Sequence, residues 1–178
     1  MAKVSFSKLN TIKTIPEGTV VIENSPVSVA HYLPLEKKMA LIESVIAQSG
    51  SDEEGFFNIV KLRVYYEIEM LKAYTNISFT EKQLEDIQKL YDAITMNHVW
   101  EIVEKEIPEA ERDYVWGSIM SLAREVTDYN HSALGILKML SAQYGEESFS
   151  LDKINELLTK AQDPNELKLV KAAIGDMA

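Results

Sequence analysis

Cysteine is absent from all 178 residues. Its absence excludes disulfides, thiol nucleophiles and cysteine metal sites together, and it fits a reducing compartment. Long apolar runs are also missing: none approaches the roughly 18 consecutive residues of a membrane span. Met1-Ala2-Lys3-Val4-Ser5-Phe6 has no continuous apolar stretch leading to a small-residue cleavage site, so secretion is not expected. The seven glycines are scattered and form neither a phosphate-cradling loop nor a Gly-x-Ser-x-Gly elbow. Only three histidines occur, His31, His98 and His131, on different predicted elements and in no His-Glu-x-x-His pair. Asp128 and His131 are three apart on one predicted helix, like half of a carboxylate-bridged dimetal site, but the second such motif that a bundle needs is missing. An ordinary helix-surface pair is expected there, with no metal and no cofactor.

What the chain has is an ordinary globular mix, 46% hydrophobic and 26% charged residues. That composition can bury a sizeable core, and the length suits one domain or one domain with appendages. The net charge is −10, unevenly spread. Residues 1–33 hold Lys3, Lys8 and Lys13 against Glu17 and Glu23, a balance of +1, which leaves −11 for the remainder. So acidic a body repels phosphate backbones, and no direct nucleic-acid partner is expected. The acid excess serves solubility or matches a basic partner.

Residues 1–33 differ in character from the rest of the chain. Thr19-Val20-Val21-Ile22 and Val27-Ser28-Val29 are short β-branched runs, bordered by the turn-forming Pro16-Glu17-Gly18 and Asn24-Ser25-Pro26. They predict an extended arm with one or two short strands, in hairpin form if they pair. An isolated hairpin is marginal in water, so these strands need something to lie on. Val4, Phe6, Val20, Ile22, Val27 and Val29 are too apolar for a simple solvated tail and are the candidate interaction residues, ordered on the chain's own helices or on a neighbouring subunit.

From Pro34 the period becomes helical. Leu35, Met39, Ile42 and Ile46 form one apolar stripe, ended by the segment from Gly50 to Gly55. Phe57, Val60, Val64, Ile68 and Leu71 form the next, a helix expected to be central. Thr80-Glu81-Lys82-Gln83 reads as a capping box with Phe79 and Leu84 at staple positions, opening a helix whose buried side is Leu84, Ile87, Tyr91 and Ile94. A short segment, Val99 to Glu106, comes after a bend near Asn97. Pro108 opens the longest pattern, from Val115 through Ile119, Leu122, Val126, Tyr129, Ala133 and Ile136 to Leu140. Trp116 and Leu137 widen that stripe beyond a coiled-coil seam, so one long packed helix is expected. Two shorter helices, capped at Ser150 and at Asp163-Pro164, close the chain. The fold class is mainly α: a helical bundle of five to seven helices behind an N-terminal arm. Residues 1–33 make the arm, 34–145 the helical core and 146–178 the C-terminal pair. Core positions should include Ile42, Ile46, Val64, Ile68, Leu71, Ile87, Tyr91, Leu122, Val126 and Leu140.

Neither carboxylates nor aromatics point to a reaction. Asp52-Glu53-Glu54, Glu104 with Glu106, and Glu146-Glu147 fall in turns or on polar faces, where nothing raises a carboxyl pKa to a catalytic value. Phe56, Phe57, Tyr65, Tyr66 and Tyr74 have only Lys61, Arg63 and Lys72 nearby, too little positive charge for a base-stacking groove, so they read as packing residues.

Val27-Ser28-Val29-Ala30-His31-Tyr32-Leu33-Pro34-Leu35-Glu36-Lys37-Lys38 joins a strand to Tyr-Leu-Pro and a charged helix start. Further along come Lys72-Ala73-Tyr74-Thr75-Asn76-Ile77-Ser78-Phe79-Thr80-Glu81-Lys82-Gln83, Lys89-Leu90-Tyr91-Asp92 and Tyr129-Asn130-His131-Ser132-Ala133-Leu134-Gly135-Ile136-Leu137. Over about residues 27–140 this series resembles the small acidic helical proteins encoded among the virion genes of tailed bacteriophages and prophages. The resemblance implies a virion-associated structural protein, assembled in the host cytoplasm, whose partners are other virion proteins or copies of itself; it carries no catalytic residues. The expected function is therefore non-enzymatic: decorating or joining capsid or connector through the arm. The alternatives are a non-virion phage protein that binds a host factor, motivated by the acidic body, and an enzyme with an unfamiliar site.

Overall fold

The computed structural model describes residues 15–52, 55–132 and 135. Within them the chain is mainly helical: two strands, β1 (Glu17–Ile22) and β2 (Ser25–Ala30), precede six helices, α1 (Leu35–Ser49), α2 (Ile59–Tyr74), α3 (Glu81–Glu85), α4 (Ile87–Met96), α5 (Val99–Val103) and α6 (Glu109–His131). The chain groups into two compact units, Met1–Gly50 with Asn58–Met120, and Ser51–Phe57 with Ser121–Ala178. The helices expected after residue 145, the core position Leu140 and the arm residues Val4 and Phe6 lie outside the described residues.

The first unit is built around α2. Its cap is Asn58, whose side chain accepts from the N–H groups of Val60 and Lys61, so Phe57 stands before the helix rather than on its stripe. Burial runs without interruption from Tyr66 to Leu71, which makes α2 the central helix that its apolar pattern predicts. Helices α1 and α5 both pack on it. Ile68 and Leu71 are buried as expected, whereas Val60 is exposed and Val64 half-buried.

Helix α1 is turned relative to its expected face. Leu35 and Met39 are 58% and 51% exposed, and the buried positions are Lys38, Leu41, Ile42, Val45 and Ser49. Only Ile42 belongs to both sets; Ile46 is half-buried. A shift of one residue is a rotation of about 100°, and its cause is a polar anchor: Lys38 reaches inward to Glu111.

The capping box at Thr80 and Gln83 is present in both directions, but the helix it opens is short. Asp86 leaves helical geometry and its side chain accepts from Lys89 N–H, restarting the chain as α4. Asp competes well for backbone donors and so favours such a cap over a helix interior. On α4 it is Leu90 and Ile94 that are buried, with Ile87 and Tyr91 half-buried. The bend near Asn97 occurs through His98, which is left-handed at φ 53°. Pro108 then leads into α6, where Val115 and Ile119 are fully enclosed. In the second unit Leu122 and Val126 are half-buried and Tyr129 is exposed.

Candidate interaction surface

The two β-branched runs of the arm form an antiparallel hairpin. Its turn is Glu23-Asn24, both with positive φ (46° and 66°), the primed geometry that matches strand twist in two-residue hairpins. The turn thus lies one residue earlier than expected, and Ser25 and Pro26 begin β2. The register pairs Glu17 with Ala30, Gly18 with Val29, Thr19 with Ser28, Val20 with Val27, Val21 with Pro26 and Ile22 with Ser25.

One face of this hairpin is part of the first unit's core. Val27 and Val29 are buried, Val29 completely, while Val20 and Ile22 opposite are half-buried. Val27 and Val29 are therefore occupied by the chain's own helices. Gly18 shares that face: a Cβ there would come within 2.8 Å of both the Glu106 carboxylate and the His31 ring. The outward face carries Glu17, Thr19, Val21, Pro26 and Ser28, all exposed, with Val21 at 65%.

The two edges of the hairpin differ. His31 N–H donates to the Pro16 carbonyl, which marks that pair as hydrogen-bonded. By the alternation of an antiparallel ladder, Gly18, Val20 and Ile22 bond inward to β2, while Glu17, Thr19 and Val21 turn their N–H and C=O groups away from it. The outer edge of β2 is closed. Pro26 has no N–H to offer, Ser28 N–H donates to the Asn76 side chain at 3.0 Å, and Val29 is bridged to Thr75. The outward backbone groups of Glu17, Thr19 and Val21 have no hydrogen bond to any described residue. This edge has no lysine, proline or bulge, the devices that usually protect an exposed strand.

Below the hairpin the buried charges are spent on one another. Lys38 Nζ lies 2.7 Å from Glu111 Oε1 and over the rings of Tyr32 and Tyr114, 4.3 Å and 5.2 Å from their centroids. The other Glu111 oxygen accepts from Tyr74 Oη at 2.8 Å and from Leu33 N–H at 3.3 Å. This one carboxylate ties α1, α2 and the segment leaving β2 to α6. Burial, the bond to Glu111 and its charge all hold the Tyr74 phenol far above its ordinary pKa. On another side of α2, Arg63 donates to Glu67 at 2.7 Å and lies over the rings of Tyr66 and Trp116. Burial raises the Glu67 pKa, with the Arg63 bond opposing, and pushes the Tyr66 phenol up to about 12. Glu69 takes Lys72 and Gln48.

Among the described residues, no cluster of three or more His, Asp or Glu side chains could hold a metal ion. In the second unit His131 donates through Nδ1 to the Thr127 carbonyl of its own helix and lies against Phe56, ring centroids 4.4 Å apart. Two grooves of about 370 and 380 Å³ lie in the first unit; the first is apolar and bordered by Ile22, Val27, Ile77, Phe79, Leu90 and Ile94. No helix among the described residues is long and apolar enough to cross a membrane. No family model, curated protein or solved structure matches this chain.

Proposed function

We propose that this protein is a non-enzymatic structural component of a bacteriophage particle, decorating or joining capsid or connector through its N-terminal arm. The observation that carries the connector role is the open edge of β1. A strand seated firmly on its own helices offers three consecutive outward sets of backbone donors and acceptors to an incoming chain, the geometry of β-strand addition. The bacteriophage assignment is supported by the series of motifs over residues 27–140 that resembles virion proteins. The acidic charge, −10 overall, favours protein partners over nucleic acid, and these partners are other virion proteins or copies of itself.

The test is particle incorporation with an edge-blocked variant. Val21→Pro removes an outward N–H and leaves the bonds to β2 in place, as proline is tolerated on edge strands. Mass spectrometry of purified particles should find the wild-type protein in stoichiometric amount and the variant, folded by circular dichroism, depleted. Wild-type protein confined to the infected-cell lysate would instead favour the host-factor reading, and equal incorporation of the variant would remove the edge from the account.

A further inference from the structure

We infer that the open edge of β1 receives the N-terminal segment Lys3–Lys8 of a second copy of this chain, so that copies join by exchanging their first strands. The inference rests on reading the arm as a connector and names what it connects to. Charge supplies the first argument. The edge is bounded by two exposed acids, Glu17 at the start of β1 and Glu23 in the turn beyond its end, six residue steps or roughly 20 Å apart in extended chain. Residues 1–14 contain three lysines and no acidic residue. Lys3 and Lys8 are five steps apart, roughly 17 Å if extended, an odd separation that puts them on opposite faces of a strand. Laid parallel to β1, such a strand sets Lys3 on the outward face near Glu17 and Lys8 on the inward face near Glu23, which borders the apolar groove.

Binary pattern supplies the second. In Lys3-Val4-Ser5-Phe6-Ser7-Lys8 the apolar side chains alternate with serines, the period of a strand with one face buried. The hairpin has the same division, with Val20, Ile22, Val27 and Val29 inward and Glu17, Thr19 and Ser28 outward. A third strand with Val4 and Phe6 inward continues the apolar face. Ile22 also borders the apolar groove, so the helices do not close that face at the end of β1.

The course of the chain favours a second copy over the same one. Pro16 is still paired with His31, and the residue before a proline is held extended, so Ile15 leaves along the axis of β1. To come back beside β1 the chain would have to reverse within residues 9–15, which contain neither glycine nor proline and only Asn10 as a strong turn former. Reaching a neighbour needs no reversal.

Charge exchange tests this on the full chain. One variant carries Lys3→Glu with Lys8→Glu; a second carries Glu17→Lys with Glu23→Lys. Light scattering should show wild-type protein associated, each variant alone at about half the wild-type molar mass or less, and their equimolar mixture restored, because each arm then meets an edge of opposite sign. Amide exchange at Thr19 and Val21 should be slow in wild type and in the mixture and fast in either variant. A monomeric wild type overturns the inference, as do variants that remain associated or a mixture that stays dissociated with Thr19 unprotected. A monomeric wild type with Thr19 and Val21 already protected means the arm folds back in its own chain, which equally overturns the exchange. Particle incorporation measured on the same variants is a separate readout: incorporation without self-association discards the exchange and leaves the virion role standing.

Discussion

Replacing Glu111 by glutamine tests whether one carboxylate organises the first unit. The substitution keeps the side-chain shape and removes only charge and one acceptor oxygen. Lys38 and Glu111 side chains are 8% and 14% exposed at 2.7 Å, so the ammonium left behind cannot recover its water shell without opening the packing. At an effective dielectric near 20 the pair attracts by about 6 kcal/mol, much of it offset by the cost of burying both ions. Removing one partner of such a pair costs about 3–5 kcal/mol. The rings of Tyr32 and Tyr114 retain part of the Lys38 interaction, about 1 kcal/mol, so we expect a loss of about 3 kcal/mol. Lys38→Met should cost less, because Tyr74 and Leu33 still donate to Glu111. The double variant should fall well short of the sum of the two, the signature of coupled neighbours. Urea unfolding is the assay, with a lowered midpoint at unchanged slope. A loss under about 1 kcal/mol, the range of solvated pairs, would show the network to be wet and would refute the reasoning.

Alkaline stability depends on Tyr66. Burial pushes its phenol up to about 12 in the folded chain, while the unfolded phenol ionises near 10. The folded state holds the proton more tightly, so nothing is lost below pH 10, and about 3 kcal/mol disappears as pH rises from 10 to 12. Tyr66→Phe should move the alkaline unfolding midpoint upward; an unchanged midpoint would mean that the ring is solvated. Ile68→Ala should cost about 2–5 kcal/mol through lost burial and a cavity, and Leu35→Ala, on the same scale, within about 0.5 kcal/mol. Equal losses in thermal or urea unfolding would put α1 back in its sequence-expected orientation.

Those two side chains mark where the sequence was legible and where it was not. Ile68 could be placed because α2 is buried without interruption from Tyr66 to Leu71, so any phase of its stripe lands in the core there. Leu35 could not, because the face of α1 is set by Lys38 meeting a carboxylate 73 residues away, and an apolar stripe carries no information about that. The capping box at Thr80 is a local signal and was readable; the restart at Asp86 is also local but hidden under an apolar period that continues through it. In the arm, alternation and β-branching announced strands at Val20, Ile22, Val27 and Val29. That Val27 and Val29 are buried on the chain's own helices depends on Thr75 and Asn76, and the openness of β1 on the fact that no described residue pairs with its outer edge. Both are tertiary facts.

An open strand edge on an acidic protein is a selective feature rather than a simple liability. Unprotected edges invite pairing with any extended chain, and the outward face beside this one, with Val21 at its centre, adds no steric barrier. The net charge of −10 supplies the discrimination: at a Debye length of about 8 Å in physiological salt, Glu17 and Glu23 are felt only by a chain already approaching β1. An acidic strand is then repelled at both ends and a neutral one gains only backbone bonds. A strand with a cation at each end gains both, and of the two such segments at the start of the chain, Lys3–Lys8 and Lys8–Lys13, only the first alternates apolar and polar residues as a strand does. The opposition of a basic first segment and an acidic body is thus sufficient to convert a general hazard into a preference for its own kind.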